Sequence, residues 1–193
     1  MQLREGLKSQ KVLSLGVTAA EVMSIPALSA SACAALRRAI DENQTMDADS
    51  VDGLPDHQFS MCVPSLDHIV GPYARVLLFR LAAVFARDVQ GRHVEADSKF
   101  KCLEIFGRRY SGDSGSRPWL PFHMDTAVLT VNVSLTNEED HAPGGSLLAA
   151  IDGKMVHVPR REGEATIHGS QLLHGVSRCE SPAPRYSLIL FFN

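Results

Sequence analysis

His123-Met124-Asp125 and, fifty-one positions on (174 − 123), His174 bring two imidazoles and one carboxylate into play. That is the ligand set of the facial triad, which grips a non-haem Fe(II) on one face and leaves its other positions open. On a strand, His123 and Asp125 point the same way, because alternate side chains do. Taken alone, His-x-Asp is a weak signal, since a hydrogen-bonded His/Asp pair is also a common structural device. His174, in Gln171-Leu172-Leu173-His174-Gly175-Val176, is expected at a turn between two strands as the third ligand. Its rival is His168, in the apolar run Ala165-Thr166-Ile167-His168-Gly169, where it could line the same cavity. The spacing to Arg185 favours His174.

Arg185-Tyr186-Ser187 opens the last apolar stretch of the chain. Arg185 and Ser187 share one strand face, and Tyr186, Leu188, Leu190 and Phe192 share the other. A guanidinium binds a carboxylate in a bidentate fork, and the Ser187 hydroxyl is a second donor beside it. Two donors on one face, deep in a barrel, suit an anionic co-substrate with two carboxylates. Tyr110 could add a phenol. The plain alternative for Arg185 is a surface ion pair on an edge strand.

These residues need a scaffold that holds them rigidly, and the pattern supplies one. Val12 to Leu15 and Glu21 to Ile25 read as short strands. Ser29 or Ser31 caps a helix running to about Glu42, with Cys33, Leu36, Ala39 and Ile40 on one face. Asn43 to Pro55 is polar and Gly/Pro-punctuated and reads as a surface loop. A second helix is expected from Ser65 or Asp67 to Val89, with Pro72 starting or kinking it and Gly91 ending it. Its apolar face is Ile69, Val70, Tyr73, Val76, Leu77, Leu81, Val84 and Phe85. From Lys101 the period falls to two. Strands are expected at Lys101 to Tyr110, Leu120 to Asp125, Ala127 to Leu135, Ser146 to Ile151, Met155 to Pro159, Glu164 to His168 and Arg185 to Phe192. Within Leu129 to Leu135 the odd positions are apolar, and Thr130, Asn132 and Ser134 form a polar face that would line a cavity. Many short strands preceded by helices imply a sandwich or barrel with one covered sheet.

The chain has 193 residues, of which 45% are hydrophobic, and a formal net charge of −3. That suits a single domain, 1–193, with a helical part over about 1–100 and a β-rich core over about 101–193. The slightly acidic balance offers no basic field for nucleic acid or for an anionic membrane surface. Cys33, Cys62, Cys102 and Cys179 are scattered without a Cys-x-x-Cys pair and read as reduced thiols. No stretch is long and apolar enough to span a bilayer, and the expectation is a cytoplasmic protein.

The ordered set Tyr110, His123-x-Asp125, Thr130-x-Asn132, Gly144-Gly145, His174 and Arg185-x-Ser187 resembles the Fe(II)- and 2-oxoglutarate-dependent dioxygenases, in the branch of prolyl 4-hydroxylase and lysyl hydroxylase. The resemblance runs from about Leu103 to the C-terminus. It implies a double-stranded β-helix (a cupin-like jelly roll, α+β and β-rich) with N-terminal helices packed on one sheet. It also implies Fe(II) on His123, Asp125 and His174, and 2-oxoglutarate on Arg185 with Ser187, Tyr110, Thr130 and Asn132 as helpers. Dioxygen is then the oxidant, with ascorbate as an activator. The activity implied is hydroxylation or another oxidation of an unactivated C–H bond in an amino acid, small metabolite or peptidyl residue, with release of succinate and CO2. Related halogenases replace the carboxylate ligand with a small residue, so Asp125 argues against halogenation. The chain departs from the pattern at His141-Ala142-Pro143, where an aromatic residue commonly precedes the Gly-Gly pair, and at Leu148, where phenylalanine is common. The insertion Ser111 to Trp119 is long and reads either as a solvent-exposed turn or as a lid, with Arg117 and Trp119, and His168 from the cavity wall, as substrate contacts in the second case.

Two other readings fit part of this pattern. A cupin-type metalloenzyme that does without 2-oxoglutarate would not need Arg185-x-Ser187. A ligand-binding barrel without a catalytic metal would not need the full ligand set.

Overall fold

The structure is a computed structural model and describes residues 22–88, 100–113 and 117–193. The strand expected at Val12 to Leu15 and the helix stop expected at Gly91 lie outside these residues. The element order is β1 (Val22–Pro26), α1 (Ala30–Asn43), β2 (Thr45–Ala48), β3 (Pro55–Met61), α2 (Val63–Val70), α3 (Pro72–Asp88), β4 (Cys102–Tyr110), β5 (Leu120–His123), β6 (Leu129–Ser134), β7 (Leu147–Ile151), β8 (Lys154–Val158), β9 (Glu164–Gly169), β10 (His174–Val176) and β11 (Arg185–Phe192). A 3-10 turn, Glu138–His141, lies between β6 and β7.

Two antiparallel sheets face each other in a jelly roll. The larger has the order β1-β9-β6-β11-β4-β3-β2 and the smaller β5-β10-β7-β8. The core sits outside the barrel. Leu36 and Ile40 of α1 and Leu78, Leu81 and Phe85 of α3 pack on Leu129, Val131 and Val133 of β6 and on Leu188, Leu190 and Phe192 of β11. Burying such side chains stabilises by about 1.5–3 kcal/mol each. The opposite faces of the same strands carry Thr130, Asn132, Ser134, Arg185 and Ser187, turned toward the second sheet and also buried.

The expected elements hold with three corrections. The Asn43 to Pro55 segment is not only loop. Thr45–Ala48 is an exposed edge strand paired with β3, and β3, which the polar residues Asp56, His57, Gln58 and Ser60 disguise, joins β4. The single helix expected from Ser65 to Val89 is two. Gly71 takes φ +82 between them, a conformation cheap only for glycine, and Pro72 begins α3 because it lacks the N–H that a continuous helix would need. The break resets the helical phase, so Tyr73 is 91% exposed and Leu78 and Ala82 occupy the core instead. Third, β10 forms at His174, where a turn was expected. Ser29 is the N-cap of α1, accepting from the Ala32 N–H at 3.3 Å. All four cysteines are free.

Helix α1 lies so close on β4 that Gly107 has no room for a side chain: a Cβ there would stand 2.4 Å from Cγ1 of Ile40. Gly107→Ala should therefore lower stability by about 1–3 kcal/mol through overpacking. The double substitution Gly107→Ala with Ile40→Ala should cost less than the sum of the two single changes, because the second vacates the space the first needs. Denaturant melts of the four proteins measure this, and strict additivity would remove the contact as the reason for glycine.

Candidate metal centre and anion pocket

His123 ends β5 and His174 begins β10, and the two are direct cross-strand partners. Residues paired in this way hold their Cβ atoms about 4.5–5.5 Å apart. The ring centroids stand 4.4 Å apart. Asp125 lies two residues past His123, just beyond the strand rather than in it, and its carboxylate turns back between the rings. His123 Nε2 is 3.4 Å from Asp125 Oδ1 and His174 Nε2 is 3.9 Å from the same oxygen. One ligand atom from each of the three residues lies within 4.8 Å of the other two.

The hydrogen bonds fix which atoms face inward. His123 Nδ1 is 2.9 Å from the Pro121 carbonyl, and His174 Nδ1 is 3.1 Å from the Leu172 carbonyl. A carbonyl only accepts, so each Nδ1 carries a proton and each ring turns its Nε2 to the centre. Thr130 Oγ1 donates to Asp125 Oδ2 at 2.5 Å. Burial works to raise the Asp125 pKa, but His123, the facing rings of His174 and His168 and the Thr130 hydroxyl outweigh it and hold the group ionised. Burial, with His168 beside it, pushes His174 down to about 3. A carboxylate held ionised and two imidazoles with Nε2 turned inward are the donors a divalent ion needs. Ligand atoms about 2.0–2.2 Å from an ion, as this donor set provides, stand about 3 Å apart at right angles. The three residues bracket a volume of that size.

His168 is the neighbour, not a member of this cluster. Its Nδ1 is 3.1 Å from the Gly169 carbonyl and its ring centroid 4.7 Å from that of His174. Its Nε2 is buried without a hydrogen-bond partner among the described residues, 3.9 Å from Asp125 Oδ2.

The triad opens into a cavity of about 490 Å3 whose walls include Thr130, Asn132, Tyr110, Arg185 and Ser187. Ser187 lies opposite Ser134 and Arg185 opposite Tyr110. Arg185 is 3% exposed, and its guanidinium sits 5.5 Å over the Tyr110 ring. Its Nη2 and the Ser187 Oγ are buried with no hydrogen-bond partner among the described residues. Unpaired buried donors are costly, and a pair of them aimed at one cavity invites an anion. Tyr110 accepts a hydrogen bond from Arg108 Nη1 at 3.0 Å, so its own proton is free to donate. Burial above all raises its pKa and keeps it neutral.

Arg117 and Trp119 do not line this cavity. Arg117 turns to the 49–52 loop, 2.5 Å from Asp52, and donates through Nε to the Trp119 carbonyl at 2.8 Å. The lid contact expected of it is replaced by an internal ion pair. Arg108, which the sequence reading passed over, does reach the cavity wall, paired with Asp49 and with Asp56 at 3.1 Å. Its i, i+2 relation to Tyr110 was the available signal.

No family model and no curated protein matches this chain. Solved structures do match in fold. EvdO2 from Micromonospora carbonacea var. aurantiaca, complexed with 2-oxoglutarate, superposes with TM-score 0.65 at 15% identity over 98% of this chain and 88% of that one. The non-haem α-ketoglutarate-dependent epimerase SnoN from nogalamycin biosynthesis gives TM-score 0.62 at 15% identity over 89% and 77%. A 2OG-Fe(II) oxygenase-family oxidoreductase from Burkholderia pseudomallei gives 0.56 at 16% identity over 89% and 84%. The chain has the fold of these oxygenases. No described helix is long and apolar enough to cross a membrane.

Thr130→Val keeps the side-chain volume and deletes the hydrogen bond to Asp125. Divalent-metal affinity should fall by about 10–100-fold, the usual effect of losing such an outer partner. Competitive titration with a chelating dye reads it, and an unchanged affinity would free Asp125 from dependence on Thr130.

Asp56 generates a separate prediction. Burial raises its pKa to about 6, against the pull of Arg108 and Arg117 and with help from Asp49. The folded value lies above the ordinary 3.8, so folding takes up a proton between the two. The stability due to the protonated form is complete below 3.8 and is lost as pH rises through 6. Asp56→Asn should flatten that loss in melting temperature between pH 4 and 8, whereas an unaltered pH profile would show the group is not the source.

Proposed function

We propose that this protein is an Fe(II)- and 2-oxoglutarate-dependent oxygenase that oxidises an unactivated C–H bond of a small molecule. One observation carries the reading. One cavity has a His/Asp/His cluster at one part of its wall and two donors without partners among the described residues, Arg185 Nη2 and Ser187 Oγ, at another. A co-substrate that chelates a metal through one end and carries a carboxylate at the other matches both. The fold shared with structures of 2-oxoglutarate-dependent enzymes supports it.

His123, Asp125 and His174 would hold the iron, and Arg185 with Ser187 the far carboxylate of 2-oxoglutarate. Iron, 2-oxoglutarate and dioxygen together supply the oxidising power, with succinate and CO2 as products. The protein supplies position. Thr130 fixes the Asp125 carboxylate, and the Pro121 and Leu172 carbonyls fix the two rings. Tyr110 presents its phenol beside Arg185. No side chain has to act as a general acid or base, which agrees with a site whose imidazoles are bound to backbone carbonyls. The placement in the prolyl 4-hydroxylase and lysyl hydroxylase branch rests on the order of the sequence motifs alone.

The remaining wall points to the substrate. Phe106, Ile189, Phe191, Met124 and Val51 are apolar, with Gln58 and Glu104 among them. A cavity of this size and character suits a small molecule with substantial apolar surface, fixed by a few polar contacts. A succinate-release screen with Fe(II), 2-oxoglutarate and ascorbate over amino acids, short peptides and larger apolar metabolites identifies the class.

Replacing His123, Asp125 or His174 with alanine should abolish metal binding and turnover with the fold retained. Full iron content in His174→Ala would transfer its role to His168. Arg185→Ala should leave metal binding intact and raise the KM for 2-oxoglutarate by about tenfold or more, since breaking a buried charge pair from one side costs on the order of 2–5 kcal/mol. Arg185→Lys should recover only part, because an ammonium lacks the fork. Wild-type protein that binds metal but no 2-oxoglutarate would leave the cupin-type reading.

A further inference from the structure

The end of β4 away from Tyr110 places a carboxylate on the cavity wall. Glu104, Phe106, Arg108 and Tyr110 alternate along this strand on the face that lines the cavity. Tyr110 lies opposite Arg185. At the other end Glu104 lies opposite Phe191, and Phe191 lies opposite Thr130, the residue that holds Asp125. Neighbouring strands are about 4.8 Å apart, so Glu104 stands about 10 Å across the sheet from Thr130 and level with it along the strands. The wall carries four carboxylate or guanidinium groups, Glu104, Arg108, Asp125 and Arg185, and three are committed. Asp125 faces the imidazoles, Arg185 faces the anion pocket, and Arg108 is paired with Asp49 and Asp56. Glu104 is exposed, with no ion pair and no side-chain hydrogen bond among the described residues.

The surface between Glu104 and Thr130 is apolar. Phe106 and Phe191 meet edge to face, with centroids 5.2 Å apart, and Ile189 adjoins them on the wall. An apolar molecule laid on these rings would strip water from Glu104. A carboxylate desolvated without a counter-charge is penalised, so a neutral or anionic molecule binds there at a cost. A cationic nitrogen removes the cost with a charge-assisted hydrogen bond and is also attracted to an aromatic face. The Arg108 guanidinium already stands 5.1 Å from the Phe106 centroid, which leaves Phe191 and Glu104 for a second cation. We propose that Glu104 selects the substrate by charge, and that the molecule oxidised is a small amine, cationic at neutral pH, on an apolar body. This rests on the oxygenase reading above for what happens to that molecule. The two halves of the cavity then have opposite tasks. The Tyr110 end of β4 takes an anion, and the Glu104 end takes a cation.

The test uses the full chain loaded with Mn(II) and 2-oxoglutarate, and titration calorimetry with three probes. Phenethylamine, phenethyl alcohol and hydrocinnamate share one apolar body and end in a cation, a neutral group and an anion. The wild type should bind the amine most tightly and the acid least. Glu104→Gln should reduce the preference for amine over acid on the order of tenfold, with Mn(II) and 2-oxoglutarate affinities unchanged. Glu104→Lys should reverse the preference. Glu42→Gln, which removes an exposed carboxylate from α1, should leave it intact. An equal loss in Glu42→Gln would make the effect one of net charge and overturn the proposal. Equal affinities for the three probes in the wild type, no binding of the amine, or a preference that survives Glu104→Gln also overturns it. Loading with 2-oxoglutarate is measured before the probes are added. Its failure in the wild type overturns the oxygenase reading instead, and the probes then test Glu104 on the Mn(II) form alone.

Discussion

The pairing of β6 with β11 is the constraint from which the rest follows. The register sets Ser187 against Ser134 and Leu188 against Val133. Every side chain on the two strands is thereby committed to one of two faces, and a slip of one residue would exchange them all. One face is wholly apolar and is covered by α1 and α3. The other carries hydroxyls, an amide and a guanidinium into the barrel. The large apolar burial on the outer face stabilises a polar inner face that could not hold itself together.

That inner face is polarised along the cavity. Near the start of β6, Thr130 grips the anionic Asp125 between the His123 and His174 imidazoles. Further along, Arg185 Nη2 and the Ser187 hydroxyl are buried with no hydrogen-bond partner among the described residues. An interior of low dielectric magnifies such separated charge. A cation at the first place and an anion at the second would each lower that cost. The Arg108 group differs. Asp49 and Asp56 neutralise it, which leaves it a brace between the sheet and the segment before β3 rather than a further anion site.

Much of this was legible in the sequence, and for a physical reason. The period of two from Lys101 onward depends only on the alternation of side chains on a strand, so the polar face Thr130, Asn132, Ser134 and the pair Arg185, Ser187 could be assigned without knowing any partner strand. Ser29 as a helix cap is equally local, as a side chain bonding to a backbone three residues on. The long helix failed at Gly71-Pro72 because its apolar spacing passes through the break almost in phase, although the Gly-Pro pair itself carried the signal.

The tertiary structure alone decided the rest, because it depended on contacts between residues far apart in the chain. Register decided that His174 rather than His168 clusters with His123, since β10 lies against β5 and brings His174 beside His123, whereas β9 pairs with β6 and sets His168 beside Thr130 on the larger sheet. Arg117 was lost to the site because Asp52, distant in sequence, is a nearer anion than any ligand. Arg160 came to bond Asn132 because the segment after β8 folds back onto β6. A sequence fixes which way a side chain points from its own strand, but which other strand it then meets is set by how the two sheets close on each other.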